Sequence, residues 1–294
     1  MNNNTEQTEG IDPHIRKSIS EAIYAAANGV DLDDEFNVKI NLSQCDFSDS
    51  EEDSLDHIDL GVAENFLENP YDISLNSATT IDDAAAELLS KHEGYLSLNG
   101  LTALSDVAAE SLSKLQGTLY LDGLTELSDV AAESLSKHDG DLWLNGLTEI
   151  SDVVAESLSK HQAEISLEGL TELSDVAAES LSRHLGILLL NGLTEISDAA
   201  VESLSKHQGD LSLKGLTELS DVAAESLSKL QGTLYLDGLT ELSDVAAESL
   251  SKHDDDLWLN GLKELSDASA ELLSKKNGAI CYKDPSEWVV SFRA

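Results

Sequence analysis

Cysteine is nearly absent from the sequence. Cys45 and Cys281 stand towards opposite ends of 294 residues. Two thiols so placed exclude a disulfide scaffold and fit a reducing compartment. Aromatic residues make up only 4% of the chain against 41% hydrophobic residues in all, so any core must be aliphatic. Basic side chains are outnumbered 17 to 57, which sets the formal charge at −40. Such a chain repels nucleic-acid phosphates and anionic membrane surfaces. Most of that charge reads as a solvated surface, screened by salt. No apolar run approaches the roughly 20 residues that a membrane-spanning helix requires. The opening, Met1 to Gln7, is polar and contains no signal-like segment. These absences predict a cytoplasmic protein without membrane insertion, with signal-independent secretion left open.

What is present is repetition. A unit of 23 residues, typified by Leu119 to Asp141, begins again at Ile73, Leu96, Leu119, Leu142, Ile165, Leu188, Leu211, Leu234 and Leu257. Nine complete units therefore fill residues 73–279, and a tenth starts at Ile280. A degenerate half-unit precedes them, since Ile58 to Asp72 aligns with Ile81 to Tyr95. Residues 96–141 recur at 211–256 with three differences: Asn99/Lys214, Ala103/Glu218 and Gly140/Asp255. This is the mark of a duplicated five-unit block.

Inside each unit the periodicity changes. Leu or Ile at the first and third positions, with a variable residue between, reads as a short strand. Gly at the fifth position, from Gly100 to Gly261, predicts a turn with left-handed backbone angles. Leucines at the sixth and ninth positions, such as Leu124 and Leu127, point back to the core. Ser128-Asp129 supplies a helix N-cap, and a helix of two to three turns follows, with Ala131, Ala132 and Leu135 on one face. Gly140 suits the helix stop. No unit can bury its own apolar face, so units stack side by side and share one core. Helices are wider than strands, so the stack curves with its strands inside.

The unit resembles a leucine-rich repeat, with Leu-x-Leu as the strand and Leu-x-x-Leu after it. Where the common repeat has a buried Asn, this chain has Leu124 or Leu147. That departure is similar to short bacterial repeats of the surface-antigen (BspA-like) type and to uncharacterised bacterial repeats of the form Leu-x-Leu-x-Gly-Leu-Thr-x-Leu-Ser-Asp. The resemblance implies an α/β curved solenoid with a parallel sheet on the concave side and short helices on the convex side. It implies little about function.

The ends differ from the repeats. Residues 1–57 read as a tail and capping region, with a helix over 12–28 and a strand over 37–42, the solenoid as 58–279, and 280–294 as a C-terminal cap containing Trp288 and Phe292. Acidic stretches 31–35 and 46–56 lack the spacing of a calcium loop. No phosphate-cradling loop, paired cysteines or nucleophile elbow is present. The expectation is therefore no enzyme, no cofactor and no metal. The most tempting column is His92, His138, His161, His184, His207 and His253 at the twentieth position. It reads as a half-buried packing column that Leu115 and Leu230 also occupy, with adjacent helices about 10 Å apart, too far for neighbouring rings to share a metal.

The concave wall is more informative. Its second position runs Ser74, Ser97, Tyr120, Trp143, Ser166, Leu189, Ser212, Tyr235, Trp258, while the flanking leucines stay fixed. A variable, outward-facing position on a constant scaffold is the pattern of a recognition surface. Tyr120 and Trp143, and again Tyr235 and Trp258, lie on adjacent strands, beside Asp122, Asn145, Asp237 and Asn260. The two pairs are five strands apart, about 24 Å. The candidate ligand-binding residues are these eight with Leu189. The expected function is non-catalytic recognition of a protein or peptide, a basic one being favoured. Two alternatives stand beside it: glycan binding by the exposed Tyr/Trp pairs, and a structural spacer in which the aromatics only brace the sheet.

Overall fold

The computed structural model describes residues 56–66 and 72–280. All of them lie in one compact unit, Asp53–Ala294. The expected helix over 12–28, the strand over 37–42, the acidic stretches 31–35 and 46–55, and the tail from 281 onward lie outside the described residues.

Each unit contributes a two-residue strand and a seven-residue helix, about two turns. In the unit from Leu119, the strand is Leu119–Tyr120 and the helix Asp129–Leu135. In the next, the strand is Leu142–Trp143 and the helix Asp152–Leu158. Among the described residues nine strands form one parallel sheet, in chain order from Ile73–Ser74 to Leu257–Trp258. Every pairing is offset by 23 residues, as in Leu119↔Leu142 and Tyr120↔Trp143. A separate pair joins His57–Ile58 to Thr80–Ile81, with Ile58 opposite Ile81.

The sheet is short because only two residues per unit are extended, but its hydrogen bonds continue beyond them. Leu121 N–H donates to the Trp143 carbonyl at 2.9 Å, and the equivalent bond recurs from strand to strand. Leucines at the first, third and sixth positions are buried, Leu142, Leu144 and Leu147 fully so, and only Leu262 in the last unit is partly exposed. Each such side chain stabilises the fold by about 2 kcal/mol relative to exposure. The ninth-position residues, such as Leu127 and Ile150, are only partly buried. On the helix, Ala131, Ala132 and Leu135 face the core, and Ser134 joins them. Small side chains there let neighbouring helices close up.

The helix caps form a ladder of their own. Ser128 Oγ accepts from Ala131 N–H at 3.0 Å and donates to Asp106 of the preceding helix at 2.5 Å. The same double contact recurs at Ser174 and Ser220. One hydroxyl thus satisfies its own helix end and ties it to the helix before.

The fifth-position glycines have a different cause from the one their sequence suggests. Among the described glycines, φ is positive only at Gly117, Gly232 and Gly278. At Gly146 a Cβ would lie 2.3 Å from the Asp122 carbonyl oxygen and 2.4 Å from that of Leu124. Glycine is required there because two successive turns stack backbone to backbone. Gly140 is likewise not a left-handed helix stop. The chain leaves the helix through a right-handed Ser136, and a Cβ on Gly140 would sit 2.0 Å from the Gly117 carbonyl oxygen.

The concave face as a candidate binding site

Seen from the sheet, every second-position side chain leaves the core. The rings of Tyr120 and Trp143 are 5.3 Å apart between centroids and tilted by 42°. Tyr95, from the last position of its unit, stands edge-on to Tyr120 at 5.7 Å and 83°. Tyr235 and Trp258 stack at 5.5 Å and 29°. All four second-position rings are half-buried, as is Leu189, whereas Tyr95 is exposed. Ser166, between Trp143 and Leu189 in register, is fully buried, and so is Ser212 between Leu189 and Tyr235. Large side chains lean over the small ones on the next strand. Sequence singled out the Tyr/Trp pairs but not Tyr95, because Tyr95 falls at the last position of its unit, which is acidic in four of the nine units.

The fourth-position polar residues have a structural occupation. Asp122 Oδ1 accepts from the backbone N–H of Asn145 at 3.0 Å. Asn145 Oδ1 accepts from Glu168 N–H at 2.8 Å and from Ser166 Oγ at 2.7 Å. Asp237 Oδ1 accepts from both the backbone and the side-chain amide of Asn260, at 3.0 and 2.7 Å. This ladder ties each turn to the next, the work that the common repeat gives to its buried asparagine. The last-position acids do the same, with Asp141 accepting from Glu164 N–H at 3.2 Å and Asp210 from Thr233 N–H at 2.8 Å. Nine predicted residues thus lie on one wall, and several of the polar ones brace it.

The wall is electrically negative. Burial raises the pKa of Tyr120, with Tyr95, Asp141, Asp122 and Asp72 adding to it. Burial also raises that of Glu164, followed by Asp141 and Glu168. A cation there would relieve both.

The histidine column lies in the interior, away from this wall. His138, His161, His184, His207 and His253 are at most 2% exposed, and His92 is buried as well. Ring centroids of consecutive members from His138 to His207 are 6.2, 6.1 and 5.9 Å apart, with interplanar angles of 13°, 8° and 7°. The rings are therefore nearer than the helix spacing suggested, and buried where half-burial was expected. Stacked rings offer an ion between them only their π faces. Among the described residues no group of three or more His, Cys, Asp or Glu side chains converges as a metal set. His184 Nδ1 pairs with the His161 carbonyl at 2.9 Å, while both ring nitrogens of His138, His161 and His207 lack a partner of good geometry. Burial lowers the pKa throughout the column, to about 4 at His184.

Sequence reasoning missed an outer column. Val107, Val130, Val153, Val176, Val222 and Val245 are 51–58% exposed on the convex helices. The signal was available: Val130 and Glu133 are three apart, hence on one outward face. Glu133 pairs there with Lys137 at 3.4 Å, both side chains well exposed.

A 23-residue register on every rung, leucines as interior columns, strands on one side and helices on the other settle the architecture. It is an α/β solenoid of 23-residue repeats. Among solved structures, this solenoid is similar to an internalin from Listeria monocytogenes, with 18% identity, a TM-score of 0.37 and 76% of each chain covered. It is also similar to a chain of the Toll–Spatzle complex of Drosophila, with 11% identity, a TM-score of 0.39, and coverage of 78% of this chain but 43% of that one. No protein-family model and no curated protein matches the sequence. Among the described residues of the solenoid, no helix is long and apolar enough to cross a membrane.

Proposed function

We propose that the chain is a non-catalytic recognition scaffold that binds a protein or peptide through the concave sheet. The observation that carries this reading is the contrast along the second position. Leucines on either side of it are fully buried, while Tyr120, Trp143, Leu189, Tyr235 and Trp258 stand half out of a wall whose backbone is already hydrogen-bonded. Aromatic side chains with one face packed and one face in water offer large contact area at low entropic cost. Asp122, Asn145, Asp237 and Asn260 frame them with polar groups.

The test is affinity capture from the native host's lysate with three forms of the chain: wild type, Trp143→Ala/Trp258→Ala, and Val130→Asp/Val245→Asp on the convex side. Circular dichroism must be unchanged in all three. The reading expects a captured protein that the aromatic variant loses and the valine variant keeps. Loss with the valine variant alone moves the site to the convex helices. Capture unaffected by either makes the aromatics sheet packing, and capture of a glycan in place of a protein favours the sugar reading.

A further inference from the structure

The five-unit duplication offers an internal comparison. Both copies carry Tyr, then Asp two residues on, then Trp on the next strand: Tyr120, Asp122, Trp143 and Tyr235, Asp237, Trp258. In the second copy Lys214 places its Nζ 4.9 Å from the centre of the Tyr235 ring. The protein thus supplies a cation to its own aromatic pair. In the first copy the corresponding residue is Asn99, which is uncharged and whose Oδ1 accepts from Asp122 N–H at 3.0 Å. Where the second copy has Asp210, the first has Tyr95. Tyr95 stands at 83° to Tyr120, and Trp143 is tilted by 42° on the other side. Three rings then form a corner. Its charge environment is acidic: Asp141, Asp122 and Asp72 all act on Tyr120. From Ile73 to Ile187 no second-, fourth- or last-position residue is Lys or Arg.

We propose that the Tyr95–Tyr120–Trp143 corner is a receptor for a lysine or arginine side chain of the partner polypeptide, which supplies from outside the cation that Lys214 supplies from inside at Tyr235. The proposal rests on the concave-face reading above and narrows its partner to a basic one. Aromatic faces attract cations through their quadrupole, and nearby carboxylates strengthen the attraction. The two copies differ in who provides the charge. One is self-filled and the other is built to be filled.

The probe is acetyl-Gly-Arg-Gly-amide, titrated into the full chain while the indole N–H resonances of Trp143 and Trp258 are followed by NMR. Wild type is expected to show a saturable shift at Trp143 that weakens with salt, and a much smaller one at Trp258. Asn99→Lys installs the internal cation and should weaken the Trp143 response about fivefold or more. The fold accepts lysine at this position, as Lys214 demonstrates. Lys214→Asn removes the internal cation and should raise the Trp258 response above its wild-type level. Thr125→Lys, an exposed residue on the loop, adds the same charge elsewhere and should change neither. The proposal is overturned by no saturable shift at Trp143, by equal shifts at the two indoles of wild type, or by equal effects of Asn99→Lys and Thr125→Lys. Those outcomes leave the concave-face reading standing if the Trp143→Ala/Trp258→Ala variant still loses its captured protein. The two readings therefore fail separately.

Discussion

Two columns of ring-bearing side chains run the length of this solenoid, and they behave as opposites. The histidines from His138 to His207 repeat without interruption, are buried, and stack like coins. The second-position column breaks its own rule from strand to strand, with Tyr, Trp and Leu half-exposed and Ser97, Ser166 and Ser212 buried beside them. Repetition in a stack of identical units is what packing demands, because each residue meets its own copy on the next rung. Variation survives where the next rung does not demand an identical partner. The conspicuous column is therefore structural, and the irregular one is where recognition can reside.

Adjacent residues give the largest test of that contrast. Leu144 is fully buried, and Trp143, one residue earlier, points the other way. Leu144→Ala should cost about 3 kcal/mol through lost transfer energy and an unfilled cavity. A lowered urea midpoint, with any captured partner still bound by the folded fraction, is the expected result. A cost below about 1 kcal/mol would mean that the core repacks and that the leucine columns do not set the stability.

Next comes pH. Burial holds the ladder imidazoles neutral in the folded state, with His184 titrating at about 4 against 6.5 for a free side chain. The unfolded chain binds the extra protons between those values, so stability is full above 6.5 and falls as pH drops towards 4. His184 alone contributes about 3 kcal/mol to that loss. Thermal melts at pH 8 and pH 5 should differ widely for wild type. The variant His138→Leu/His161→Leu/His184→Leu/His207→Leu copies the Leu115 and Leu230 rungs, and its melts should differ much less. Equal pH sensitivity in the two proteins would assign the effect to the surface carboxylates.

A smaller effect is expected at Asn145, whose Oδ1 takes two hydrogen bonds from the next turn. Asn145→Ala should cost about 1 kcal/mol, while Asn145→Asp, which keeps the acceptor as Asp122 and Asp237 do, should cost less. If both are neutral in stability yet weaken partner capture, the fourth position contacts the ligand and the bracing is incidental.

The fold was open to reading in the sequence because each unit states its register again. The 23-residue offset alone predicts which strand pairs with which, and Ser128 and its equivalents announce the helix starts. Hydrogen-bond ladders were not open in the same way. Asp122 and Asn145 are polar residues on an exposed face, and nothing in their spacing says that they accept from the backbone of the next turn. The glycines misled for a related reason. Their need arises from the Asp122 and Leu124 carbonyls, which are distant in sequence, and not from their own backbone angles. Of the site, the aromatic pairs were legible because they interrupt a column. Tyr95 and the cation over Tyr235 were not, since both depend on how side chains lean between rungs.

The smallest expected stability effect decides most about function. Cross-strand aromatic pairs contribute between about 0.2 and 1 kcal/mol, so Trp143→Ala should lower the urea midpoint only slightly while Leu144→Ala lowers it severely. A structural spacer predicts otherwise. If the rings serve the sheet, removing Trp143 also uncovers Ser166 and loosens Tyr120, and the loss should approach that at Leu144. Urea titrations of the two single variants, run side by side, separate these cases without knowledge of any partner. A small loss leaves Trp143 with little to do for the fold, and then the wall's irregular column requires an external reason to exist.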